Sequence, residues 1–178
     1  MTLVAPSSDF VAAMGQHVSS VCVITTSHEN QRYGLTATAV SSVCASPPRL
    51  LVCVNKNGVS HEKIAASGVF GVNVLAETQD VVAKAFAGML GKDKDRFSVG
   101  EWYTLQTASP VLQKAAAVFD CRVAETIDQF THTIFIGEVL AATSRVGEDT
   151  LLYGAKRFRT LRKAITTTLE EGVESLHF

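Results

Sequence analysis

Two stretches carry residue types whose spacing suits ligand chemistry. The first is Gly34-Leu35-Thr36-Ala37-Thr38-Ala39-Val40-Ser41-Ser42. A strand built for packing alone favours Val, Ile, Tyr or Phe. Here Gly34 lacks a Cβ, and Thr36, Ala37, Thr38 and Ala39 are small, so backbone N–H and C=O groups can approach a flat polar ring. Ser41 and Ser42 add hydroxyls able to meet a phosphate or a ring edge. The second stretch is Asn55-Lys56-Asn57-Gly58-Val59-Ser60, a loop that feeds a predicted helix. Free N–H groups at a helix start attract an anion; Lys56 adds charge and Ser60 a capping hydroxyl. Together the two suit a mononucleotide, with small residues under the ring and a helix start under the phosphate. The plainer reading is a solvated edge strand and an ordinary turn, and the residues alone leave both open.

Other reactive residue types are scattered. No nucleophile–base pair or carboxylate dyad stands out. Cys22, Cys44, Cys53 and Cys121 form no CxxC pair, which argues against a redox dithiol or a metal site. They read as free, buried small hydrophobes in a reducing cytoplasm. His17 and Met14 read as core or interface residues on a helix face, and Trp102 as an aromatic group closing one end of the fold.

The elements that must position these residues are mostly strands. Ser7-Ser8-Asp9 can cap a helix from about Phe10, with Met14 and Val18 on its inner face. A β-branched strand starts at Val21, and Arg32 to Ala45 follows as one strand of small and larger groups, broken by Pro47-Pro48. Residues 49–55 read as a strand buried on both faces. A short helix follows, closed by Gly68. A strand comes next, then a helix with Asp80 in its first turn and Gly88 beyond its end. Ser109-Pro110 introduces a short helical piece, VLQKA. Two long strands, from Ala117 and from Thr131, flank a tight reversal at Gln129-Phe130-Thr131. Residues from Leu151 onward read as a final helix with a loose tail. Short connections favour a mainly β fold with peripheral helices, an antiparallel sheet closed as a barrel. No GxGxxG follows a first strand, so a Rossmann reading is weak.

Composition narrows the function classes. Of 178 residues, 47% are hydrophobic and 19% charged, with a formal net charge of -1. That fits one globular domain over 1–178 and offers no basic stripe for nucleic acid. No apolar run is long enough to span a bilayer. The N-terminus lacks a basic segment followed by an apolar run, so a cytoplasmic location is expected.

GLTATAVSSVCASPPRLLVCVN, SGVFGVNVLA, KDRF and THTIFIGEVL, taken together, resemble the flavin reductase family over roughly residues 8–160. Members are NAD(P)H-dependent enzymes with an FMN-binding antiparallel split β-barrel that supply reduced flavin to two-component monooxygenases. The resemblance implies a flavin, FMN or FAD, and NADH or NADPH as hydride donor. It also implies a homodimer and a flavin-dependent monooxygenase as recipient. It assigns Gly34, Leu35, Thr36, Ala37, Thr38, Ser41 and Ser42 to the flavin, with Val54, Asn55, Lys56 and Ser60 from the next strand and loop. His132 matches the histidine near the nicotinamide, although Thr131 stands where the family has an acid. Arg96 and Phe97 match a pattern at the pocket mouth, and Tyr153, Arg157 and Phe158 correspond to a C-terminal border. The extension 163–178 lies outside the resemblance. Rival readings are a flavoprotein of the same barrel reducing a corrinoid or metal complex, a non-catalytic flavin- or haem-binding module, and a plain interaction protein.

Overall fold

The computed structural model describes residues 4–91 and 94–161. After helix α1 (Ser7–Met14) come strands β1 (Ser19–Ser20), β2 (Cys22–His28), β3 (Gln31–Ala37), β4 (Val40–Ala45) and β5 (Pro48–Asn55). Helix α2 (Val59–Ser67), strand β6 (Val69–Val74) and helix α3 (Asp80–Phe86) follow. A single 3-10 turn (Arg96–Ser98) precedes β7 (Trp102–Tyr103), β8 (Val111–Leu112), β9 (Ala117–Gln129), β10 (His132–Ser144), β11 (Leu152–Gly154) and β12 (Arg157–Arg159).

Seven strands form one antiparallel sheet in the order β3-β2-β6-β9-β10-β5-β4. Its two edges, β3 and β4, are consecutive in the chain and joined only by Thr38-Ala39. The sheet therefore curls until its edges meet at that junction and part beyond it, which is a split barrel. The strand expected over 32–45 is thus two strands, β3 and β4. Local propensity favours a continuous strand; closure of the sheet requires the chain to change edge at Thr38.

Alternation along β2 feeds two cores. Cys22 and Ile24 join Leu50, Val52, Val54, Phe70, Val72, Cys121 and Phe135 inside the barrel, with Ile64 of α2 closing it. Val21 and Val23 face the opposite way, against Phe86 of α3, Phe97 and Leu112. Each fully buried side chain of this size contributes about 1.5–3 kcal/mol. β5 serves only one core: Leu50, Val52 and Val54 are buried, whereas Leu51 and Cys53 are partly exposed. It is not buried on both faces as expected, because its other side borders an open cleft.

Three further expectations give way to tertiary contacts. Residues 111–115 start extended rather than helical, since Asn73 Oδ1 takes the Leu112 N–H (2.6 Å) and Thr25 donates to the Pro110 carbonyl. Residues 152–159 form a hairpin rather than a helix. Ala155 and Lys156, at φ 50° and 59°, make its two-residue turn without the usual Gly or Asn signal. Helix α1 starts after Pro6 with no side-chain cap, and it buries none of its residues; Met14 and Val18 are about half exposed. The expected tail beyond Leu161 lies outside the described residues. The tight reversal between β9 and β10 is present at Phe130-Thr131, and Gly68 closes α2 at φ 69°.

Candidate functional site

β3 pairs only with β2, so its other side is a free sheet edge. The Gly34 carbonyl accepts from Arg96 Nη1 (3.3 Å), which turns it off that edge. The strand's period of two turns the Thr36 backbone groups the same way. Into the gap beside this edge opens a cleft of about 380 Å³, lined by Leu35, Thr36, Ala37, Thr38 and Ala39. Cys53, Asn55, His132, Met89, Tyr153 and Phe158 complete much of its wall. The Tyr153 and Phe158 rings meet edge to face at 5.6 Å. His132 opens β10 opposite Asn55, and its Nδ1 lies 2.9 Å from Thr131 Oγ1. The hydroxyl of Thr131, which stands in place of an acid, thus contacts this ring.

The cleft continues past its neighbours. A second opening shares Thr38, Ala39 and Tyr153 with it and adds Ser41 and Lys156. A third, of about 540 Å³, shares Ser19, Thr38 and Ser41 with the second and adds Ser20, Ser42 and Arg49. The buried Arg49 Nε has no hydrogen-bond partner among the described residues. Such an atom calls for an explanation, because burying an unpaired donor is costly.

Leu35, Thr36, Ala37, Thr38, Asn55, His132 and Tyr153 therefore share one cleft, with Ser41 and Ser42 along its continuation. Other expected residues lie elsewhere. Gly34 is small because Phe86 sits on it: a Cβ there would meet the Phe86 ring at 2.7 Å. The Val54 side chain is 1% exposed in the barrel core. Ser60 lies inside α2, whose N-cap is Gly58, so it caps nothing. The Arg96 guanidinium is spent on the Gly34 and Phe86 carbonyls, and Phe97 is core, packed edge to face on Phe86 at 4.9 Å. Arg157 borders a different opening, with Glu77 and Asp80. The Thr36 hydroxyl donates to Ala83 O (2.7 Å), so it fastens α3 to β3 and leaves only its backbone to the cleft.

Lys56 also departs from expectation, since its Nζ sits 2.7 Å from Asp128 Oδ1. The Lys56 ammonium, then the Thr133 hydroxyl, hold the Asp128 carboxyl below its usual range. A carboxylate so held contributes stability above its unfolded pKa of about 3.9 and loses it as pH falls through the lowered value. The pair is therefore intact at neutral pH. Asp128, Thr133 and His61 escaped the sequence reading, yet a two-residue reversal at Phe130-Thr131 already sets Asp128 opposite Thr133. Cys53 was expected to be buried and instead lines the cleft; Cys44 is also partly exposed.

The chain matches the family described as "Flavin reductase like domain" over residues 14–162. It is 38% identical over 155 residues to FMN reductase (NADH) RutF of Agrobacterium fabrum, covering 87% of this chain and 88% of that one. Its fold superposes on the NADH:FAD oxidoreductase SgcE6 of Streptomyces globisporus with a TM-score of 0.83 at 30% identity, covering 92% of this chain and 99% of that one. The styrene monooxygenase flavin reductase SMOB of Pseudomonas putida gives 0.78 at 28% identity, over 88% and 99%.

Proposed function

The chain belongs to the flavin reductase like domain family, and from that membership we propose that its cleft at Thr38 brings a reduced nicotinamide and a flavin together. The protein is an NADH:flavin oxidoreductase, and it supplies reduced flavin to a partner monooxygenase. One observation carries the placement of the site: the free edge of β3 and the His132 imidazole border the same cleft.

The residues present fit a flavin. When bound, it accepts a hydride from the nicotinamide and carries two electrons onward. Thr36 to Thr38 offer backbone donors and acceptors with little side-chain bulk, which suits the polar edge of a flat ring. Tyr153, Phe158 and Leu35 supply apolar wall. For the phosphate-bearing tail, Arg49, whose buried Nε lacks a partner, with Ser41 and Ser42 is better placed than Lys56, whose charge Asp128 already satisfies. His132, held at Nδ1 by Thr131, presents its other face to the nicotinamide side and orients the donor. Rate then comes from alignment of two rings and exclusion of water, and the protein needs no nucleophile or acid–base pair.

The whole chain acts as one flavin-binding domain and as a homodimer. Support for the dimer is α1, which leaves Phe10 62%, Val11 59% and Met14 50% exposed. A helix with such residues and no buried face is unpartnered in the single chain.

Steady-state NADH oxidation with FMN or FAD added, after a visible spectrum for bound flavin, tests the reading. Flavin-dependent oxidation is expected, and His132→Ala should raise the NADH KM about tenfold while flavin affinity stays within twofold. No oxidation with either flavin would overturn the activity. Unchanged turnover in His132→Ala would remove the histidine from the site.

A further inference from the structure

Across the hairpin tip, Asp128 pairs with Thr133, and Val54 pairs with Thr133 from the other side. Successive β10 side chains point to opposite faces. His132 borders the cleft, so Thr133, 6% exposed, points away from it, toward α2. There its hydroxyl lies 2.8 Å from His61 Nε2 and 3.1 Å from Asp128 Oδ1. Asp128 Oδ1 takes Lys56 Nζ at 2.7 Å, and the Lys56 N–H donates to the Thr131 carbonyl at 2.9 Å. The Thr131 hydroxyl then reaches His132 Nδ1 at 2.9 Å. The contacts form an unbroken path from the first turn of α2 to the cleft histidine.

Proton inventory gives this path a direction. An ionised carboxylate only accepts, so Thr133 must donate its single proton to Asp128. Its oxygen is then left to accept, and the donor must be His61 Nε2–H. That fixes the ring of neutral His61 in one tautomer.

We propose that His61, Thr133, Asp128 and Lys56 form a clasp that holds the β9–β10 hairpin tip against the Lys56 loop and so sets the position of His132 over the cleft. They are positioning residues, since none of their polar groups reaches the cleft itself. The proposal rests on the reductase reading above for its kinetic test, but not for its structural one. The clasp also explains why Lys56 is spent on Asp128: its charge serves the hairpin rather than a bound phosphate.

Thr133→Val keeps the shape and removes the hydroxyl, whereas Thr133→Ser keeps the hydroxyl and removes a methyl. Expected for Thr133→Val is a five- to tenfold rise in the NADH KM with flavin affinity within twofold, and near wild-type values for Thr133→Ser. Equal behaviour of the two variants, or a loss confined to flavin affinity, would overturn the clasp. Should Thr133→Val fail to fold, the surface variant Asp128→Ala carries the same expectation, and an unchanged NADH KM there overturns it too. Independently of turnover, imidazole ¹⁵N spectra of the wild-type protein at alkaline pH should show the His61 proton on Nε2. A proton on Nδ1 would break the path, whereas a wild type that oxidises no NADH would sink the reductase reading and leave this tautomer test standing.

Discussion

At the scale of single residues, the small groups of the chain answer to two different demands. Thr36, Ala37 and Thr38 are small where a free sheet edge borders a cleft. Gly34, two residues away, is small because the Phe86 ring occupies the space of its side chain. The cysteines divide in the same way. Burial pushes the Cys22 and Cys121 thiols up to about 12, with the neighbouring Asp120 charge adding to it for Cys121. At pH 8 neither supplies a useful fraction of thiolate. A thiol reagent added to native protein should label Cys44 and Cys53 and spare the other two, as peptide mass mapping would read. Saturating flavin should slow labelling of Cys53, which lines the cleft. Equal rates with and without flavin would mean that the flavin does not lie against Cys53.

At the scale of elements, irregular segments are held by side chains of the strands they cross. Asp120 of β9, fully buried, accepts from the Gln106 and Thr107 amides (both 2.7 Å) and from the Thr107 hydroxyl. Asn73 of β6 bonds Val23 O and Leu112 N in the same manner. These contacts keep residues 105–112 against the sheet, and that segment in turn packs Trp102 against Phe86 and Phe97. Asp120→Ala removes the buried acceptor of three partly buried donors, and each hydrogen bond to a charged group contributes roughly 1.5–3 kcal/mol. A fall in Tm on the order of 10 °C is expected by calorimetry for a chain of this size. A Tm within 2 °C of wild type, on a scale of about 2–4 °C per kcal/mol, would show that water replaces the carboxylate without loss.

At the scale of the whole molecule, the sheet creates the cleft and α1 carries the face that a partner copy would cover. Thr38 and Ala39 sit where the two edges of the sheet meet, so the cleft is a consequence of incomplete closure. α1, tied at its end by the Ala155 N–H on Gly15 O (2.7 Å), hangs beside that junction with its apolar residues in water. Phe10→Ser combined with Met14→Ser should weaken self-association at least tenfold in sedimentation, as expected when apolar anchors leave an interface. A wild-type chain that sediments as a monomer at micromolar concentration would rule the homodimer out.

The sequence by itself determined the strand-rich architecture, the long hairpin with its reversal, the closing of α2 by Gly68, and the membership carried by its motifs. Each of these is local: periodicity, a glycine at φ 69°, a two-residue turn. It also marked the stretch from Leu35 to Thr38 with Asn55, His132 and Tyr153, which the fold gathers into one cleft. Only the tertiary structure decided where the expected strand over 32–45 breaks, since that break is imposed by a sheet closing on itself. It alone showed that residues 152–159 form a hairpin, because their turn uses Ala155 and Lys156 in place of glycine. It alone removed Gly34, Val54, Ser60, Arg96, Phe97 and Arg157 from the cleft and tied Lys56 to Asp128. Ser60 apart, whose place follows from where α2 starts, the reason is shared: residue type signals what a side chain can do, whereas the neighbour that it meets comes from another element of the fold.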